Sequence, residues 1–195
     1  MISISLISDL SNNDKNTLRD AWELWGIDLQ MTVFEEELSE LGAAIALAHI
    51  GGFKWSNDVF EELADVLICF QQIEIYLRED NLNTIWMDVE DYAVSTEVAG
   101  TNPDDLLLVQ TLRVIKAIAK SRRYSGGNIA WTHNLRSELG ALLRVMQRTE
   151  RYLRGTEWIC SQPQWDEVEK FRVFKMDRLR KRIDAEKEQS GNESA

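Results

Sequence analysis

The residues best suited to chemistry are carboxylates set three apart in two neighbouring stretches, Glu37 and Glu40 in one and Glu62 and Asp65 in the next. With about 100° between successive residues of a helix, setting Phe34 at zero puts Glu37 at about −60° and Glu40 at about −120°. Setting Val59 at zero puts Glu62 and Asp65 at the same two angles, about −60° and about −120°. If the two helices pack antiparallel, all four acids converge along one edge of the pair. That flank is otherwise apolar, shared by Val33, Ala44 and Leu47 on the first stretch and Cys69 on the second. Acids clustered beside apolar surface repel one another and require a cation, and hard oxygen ligands suit Mg²⁺, with Mn²⁺ as a substitute. Magnesium retains waters and takes phosphate oxygens, so the chemistry indicated is that of phosphoryl groups. The competing reading is that glutamates three apart arise by chance on helix surfaces; the shared phase on two adjacent helices is what weighs against it. A di-iron carboxylate bundle would want Glu-x-x-His, and neither His49 nor His133 follows a glutamate by three. The two histidines have no implied role.

The elements that must position these acids read as helices throughout. Leu18, Trp22, Trp25 and Leu29 recur at helical spacing over 17–29, with Trp22 and Trp25 read as core. From Val33 to His49 the apolar positions are Phe34, Leu38, Leu41, Ile45 and Ala48, a buried-helix pattern. Thr32 with Glu35 has capping-box spacing for its start, and Gly51-Gly52 ends it. A second helix over 58–77 buries Val59, Leu63, Val66, Phe70, Ile73 and Leu77, with Asp58 and Glu61 read as its cap. Residues 80–105 read as a connector with a short helix around 85–92. Helical periodicity resumes over 106–121, pauses at Ser125-Gly126-Gly127, and returns over 134–153. A loop with Gly155 and Pro163 leads to a last helix at about 165–188 and a polar tail, 189–195, expected to be disordered.

The two middle portions resemble each other. ELADVLICFQQIEIYL (62–77) aligns without gaps to ELGALLRVMQRTERYL (138–153), and upstream GGFKW (51–55) corresponds to GGNIAW (126–131). Helix, Gly-Gly loop and tryptophan recur in the same order, which favours a tandem duplication. The alignment takes Glu37 to Gln110, Glu40 to Arg113, Glu62 to Glu138 and Asp65 to Ala141. The second copy has therefore lost three of the four acids and should bind no metal, although Arg113 offers a positive charge. One domain over 1–195 is expected. It comprises a catalytic repeat at about 17–79, the connector at about 80–105, a degenerate repeat at about 106–154, the closing helix and the tail.

Composition narrows the function classes. Apolar residues make up 44% and charged residues 28%, which is the mix of a globular chain rather than a disordered one. A formal net charge of −11 repels phosphate backbones, which argues against a nucleic-acid partner. A nucleotide substrate remains compatible, because a bound divalent cation inverts the local field. Cys69 and Cys160 form no disulfide framework and read as free thiols of a reducing, cytoplasmic setting. No basic n-region opens the chain, and no window approaches the roughly 18 apolar residues of a membrane span.

Glu36-Glu37-Leu38-Ser39-Glu40 followed by Glu62-Leu63-Ala64-Asp65 resembles the EExxE…ExxD signature of the all-α NTP pyrophosphatase superfamily, which includes MazG, the dimeric dUTPases and the dCTP pyrophosphatases. The resemblance covers about residues 22–78, and more weakly 168–183, where VEKFRVFKMDRLRKRI is similar to the family's closing helix. It implies an all-α, MazG-like bundle that hydrolyses a nucleoside triphosphate between the α and β phosphates, in nucleotide-pool sanitation or adjustment. It also implies metal ligation by Glu37, Glu40, Glu62 and Asp65, with Glu36 orienting the attacking water or holding an additional metal. Lys175 and Arg178 would grip the distal phosphates, against the alternative of a solvated basic face. Trp55 and Asn57 would contact the base, against core and capping roles. A homodimer of duplicated chains, as in the dimeric dUTPases, is the implied assembly. Two rival functions stand beside this one: a non-catalytic helical nucleotide sensor or interaction protein, and a hydrolase of an alarmone such as ppGpp.

Overall fold

In the computed structural model, residues 5–52, 54–79, 82–96, 102–156 and 164–193 are described, and among them the chain forms seven helices and no strand. Ser11 opens α1 (Asn12–Trp25) by accepting a hydrogen bond from the Asp14 N–H at 3.1 Å. Gly26 ends it with φ +78° and ψ 154°, a backbone state open to glycine and hardly to any other residue. The single helix expected over 17–29 is therefore split, and Leu29 falls, exposed, in α2 (Ile27–Ile50). Thr32 lies inside α2 rather than at its cap; its hydroxyl donates to the Asp28 carbonyl at 3.0 Å.

The periodic stripe of α2 is buried as expected, from Phe34 through Ala48, and Met31 extends it. Ser56, not Asp58 or Glu61, caps α3 (Asn57–Glu79) by accepting from the Val59 N–H at 3.3 Å. All six positions of the α3 stripe are buried, each large apolar side chain contributing roughly 1.5–3 kcal/mol. The connector holds a longer helix than 85–92: α4 spans Asn83–Ser95 and buries Trp86, Val89 and Ala93 on one face. Trp86 packs on Phe70 of α3, their ring centroids 6.2 Å apart.

Pro103 starts α5 (Pro103–Ser125) and Thr132 caps α6 (His133–Leu153), accepting from the Leu135 N–H at 3.2 Å. Gly140 lets α4 reach α6: a Cβ there would stand 2.5 Å from the Val89 carbonyl oxygen and from Tyr92 Cβ. The last helix, α7 (Trp165–Glu193), runs past Glu188, so 189–193 of the expected disordered tail are helical, while 194–195 lie outside the described residues. It lies along α3 and α1. Cys69 is a buried free thiol, and Cys160 lies outside the described residues.

The hairpins α2–α3 and α5–α6 pack through α2 and α5, and they exchange equivalent contacts. Trp55, in the loop of the first, sits 6.2 Å from the ring of Tyr152 at the end of the second. Trp131, in the loop of the second, sits 6.3 Å from Tyr76 at the end of the first. The sequence alignment pairs Trp55 with Trp131 and Tyr76 with Tyr152, so these are the same contact made twice. Side-chain contacts tie both ends of the α2–α5 seam: a His49 Nε2–Asp104 Oδ2 hydrogen bond at 2.9 Å, and an Arg122–Glu35 ion pair at 2.6 Å. The helix that starts one end finishes the other, as an antiparallel seam requires.

Candidate metal centre

The phase relation read from the sequence has its counterpart in space. One carboxylate oxygen each from Glu37 and Glu40 of α2 and Glu62 of α3 lie within 4.8 Å of one another. Such convergence of like charge from two helices, with Glu37 and Glu62 part-buried, is chemically sensible for a hard divalent cation, and the all-oxygen donor set fits Mg²⁺ or Mn²⁺. Asp65 is one turn along α3 and stands outside that group; its Oδ2 accepts a hydrogen bond from Lys175 Nζ of α7. Lys175 also approaches Glu61 Oε1, at 3.3 Å.

These groups line an open cleft of about 610 Å³ between the α2–α3 edge and α7. Its acid wall is Glu37, Glu40, Glu61, Glu62 and Asp65; its basic wall is Lys175, Arg178, Lys181 and Arg182, with Leu179 among them. Sequence reasoning assigned Glu61 to a cap and passed over Lys181 and Arg182. A usable signal was present, since 175, 178, 179 and 182 share one helix face at i, i+3, i+4 and i+7 spacing.

The electrostatics follow from crowding. Burial, then the charges of Asp65, Glu40 and Glu62, push the Glu37 carboxyl up to about 7. Glu62 is also raised, mainly by burial against the lowering influence of Lys175. Asp65 is raised by burial despite the hydrogen bond from Lys175. For Lys175 burial is the largest single influence and lowers it, but the hydrogen bonds and charges of Asp65 and Glu61 together hold it above its ordinary value. Cys69, wholly buried, has its thiol pushed well up by burial and by the nearby Glu37 and Asp65.

Several residues singled out in the sequence stand elsewhere. Glu36 is exposed and does not line the cleft. Trp55 stacks on Phe60 with the rings 5° from parallel and meets Tyr152, so it joins the two hairpins rather than facing the cleft. Asn57 is exposed at the start of α3, also outside the lining. Trp22 and Trp25, read as core, are half-buried: Trp22 meets Tyr76 edge-on, and Trp25 lies under the Arg182 guanidinium, 4.7 Å from its ring centroid. Arg178 is exposed on the basic wall, its guanidinium 5.9 Å from the Phe174 ring.

In the second hairpin the positions aligned with Glu37 and Glu62 also meet, but as an amide and an acid. Gln110 Nε2 donates to Glu138 Oε2 and to the Glu138 carbonyl, both at 2.9 Å. The amide supplies the positive end of a dipole where the first hairpin has the carboxylate of Glu37, so this pair is satisfied without a cation. Arg113 is exposed and Ala141 carries no ligand.

Among the described residues one other group has ligand-type spacing, His49 with Asp104 and Asp105. Its His49–Asp104 contact is the counterpart of Arg122–Glu35 across the same seam, which accounts for it as a structural tie. No described helix is long and apolar enough to cross a membrane. Comparison with family models, curated proteins and solved structures finds no match to this chain.

Proposed function

We propose that this chain is a Mg²⁺-dependent nucleoside triphosphate pyrophosphohydrolase, converting a nucleotide or deoxynucleotide triphosphate to the monophosphate and pyrophosphate. The observation that carries the reading is the pair of opposed walls in one cleft. Three converging carboxylates on α2 and α3 face a row of cations on α7. A ligand that satisfies both walls must bring a cation to one and anionic oxygens to the other, and a metal-bound polyphosphate does both.

In this reading Glu37, Glu40 and Glu62 hold the cation, with Asp65 completing the set. When bound, that cation supplies charge neutralisation for phosphate oxygens and a water of lowered pKa. Lys175 and Arg178 orient the distal phosphates, and Arg182 extends the row along α7. Glu36, lying outside the lining, has no part in it. The second hairpin, with its Gln110–Glu138 pair, braces the first and carries no chemistry. One metal centre per chain and a homodimer of such chains belong to the same reading, the latter checked by light scattering.

The test is an assay of each canonical NTP and dNTP, with ppGpp included, in Mg²⁺, resolving pyrophosphate from orthophosphate. Pyrophosphate release should fall by roughly 10²-fold or more in Glu37→Ala and in Asp65→Ala, the scale expected for losing a charge-stabilising group. Nucleotide binding without turnover would favour a sensor instead, and activity that survives both substitutions would reject the assignment.

A further inference from the structure

The converging group on the acid wall is one member short of the four that helical phase places on that edge. Glu37, Glu40 and Glu62 converge within 4.8 Å, while Asp65, which belongs to the same edge by helical phase, is engaged by Lys175. The lysine side chain is only 14% exposed and Asp65 only 19%, whereas Glu61, the second acceptor, is 45% exposed. Arg178, one turn further along α7, stays exposed in the cleft. Thus one cation of the basic wall has crossed to the acid wall.

We propose that Lys175 is the resident counter-ion of the acid wall, competing with the divalent cation for Asp65. Loading the cation moves the ammonium off Asp65 and into the cleft, where it meets phosphate oxygens. This deepens the metal-centre reading and rests on it. The residue types suit the exchange. An ammonium is a point charge on a flexible stem, able to swing between acceptors, where a guanidinium would fork onto the carboxylate and stay. Glu61, at 3.3 Å from Nζ, is a second acceptor toward solvent that eases the transfer. The cleft thereby adds the charge of Lys175 to that of Arg178 only when the metal is in place, so metal and nucleotide binding are coupled.

Two measurements test this without using activity. Titration of the protein with Mn²⁺ alone, free ion read by electron paramagnetic resonance, should show Lys175→Met binding on the order of tenfold tighter than wild type, as removal of a charge a few ångström away predicts. Lys181→Gln, which removes a charge from the same wall but has no contact with Asp65, should change affinity much less. In an Asp65→Asn background the gain from Lys175→Met should vanish. The second measurement uses wild-type protein: acetylation of Lys175 by a limiting amine reagent, read by mass spectrometry, should accelerate when Mg²⁺ is added. Unchanged or weaker Mn²⁺ binding in Lys175→Met, an equal effect of Lys181→Gln, or Lys175 reactivity unmoved by Mg²⁺ would overturn the competition while leaving the metal centre standing. Wild-type protein that binds no Mn²⁺ would remove both.

Discussion

At the scale of single residues, Glu37 is the member of the acid cluster on which burial and three neighbouring carboxylates act together. Its carboxyl is raised from 4.5 to about 7, so between those values the folded chain holds a proton that the unfolded chain releases. Its contribution is therefore most favourable at low pH and is lost as pH rises through about 7. Glu62 and Asp65 are raised too and act in the same sense. The lowered carboxylates Glu79, Asp177 and Glu186 have the opposite sign, but in a window below the ordinary carboxylate values. Metal-free protein in chelator should thus melt at a higher temperature at pH 5.5 than at pH 8, by calorimetry. Glu37→Gln should flatten that difference, and Mg²⁺ at pH 8 should restore stability to the wild type. The acids themselves were legible because a helix fixes the angle between residues three apart. Lys175's attachment to Asp65 was not, since a contact across 110 residues leaves no periodic trace. The partner of Trp55 was not legible for a related reason: its place after a Gly-Gly loop allows a core role but says nothing of which distant ring it will meet.

Elements set where these residues stand, and α4 is the one the sequence undersold. Its polar and acidic residues hide a narrow stripe, Trp86, Val89 and Ala93, that reads as a helix only once a groove exists to receive it. Gly140 shapes that groove. Alanine normally gains about 1 kcal/mol over glycine inside a helix. Here the added Cβ would press on the Val89 carbonyl and on Tyr92 at 2.5 Å, and such overpacking costs typically 1–3 kcal/mol. Backbone cannot give way as a side-chain tip can, so Gly140→Ala is expected to be net destabilising, with a lower denaturation midpoint in urea. The long stripes of α2 and α3 were readable because burial follows their period over many turns. Their ends were not, since Gly26 and Ser56 act through backbone angle and a single hydroxyl, which leave no periodic signal.

Across the whole molecule the two hairpins are interlocked, each loop tryptophan lying against the other's tyrosine. Trp131→Ala, in the half without the acid cluster, should cost on the order of 1–3 kcal/mol, less than a fully buried tryptophan would. Circular dichroism and tryptophan fluorescence should still report one coincident urea transition, since neither hairpin has its loop covered without the other. The all-α architecture was evident from the sequence; the exchange of aromatic contacts was not, because it depends on how the two hairpins are set against each other. Both hairpins are finished at Leu153, but every cation of the basic wall lies on α7, which begins at Trp165. A ribosome therefore delivers all the acids long before their counter-charges, and the nascent chain carries an uncompensated acidic edge until the last helix docks. The cleft comes into being with the arrival of α7, not with the folding of the half that bears the motif.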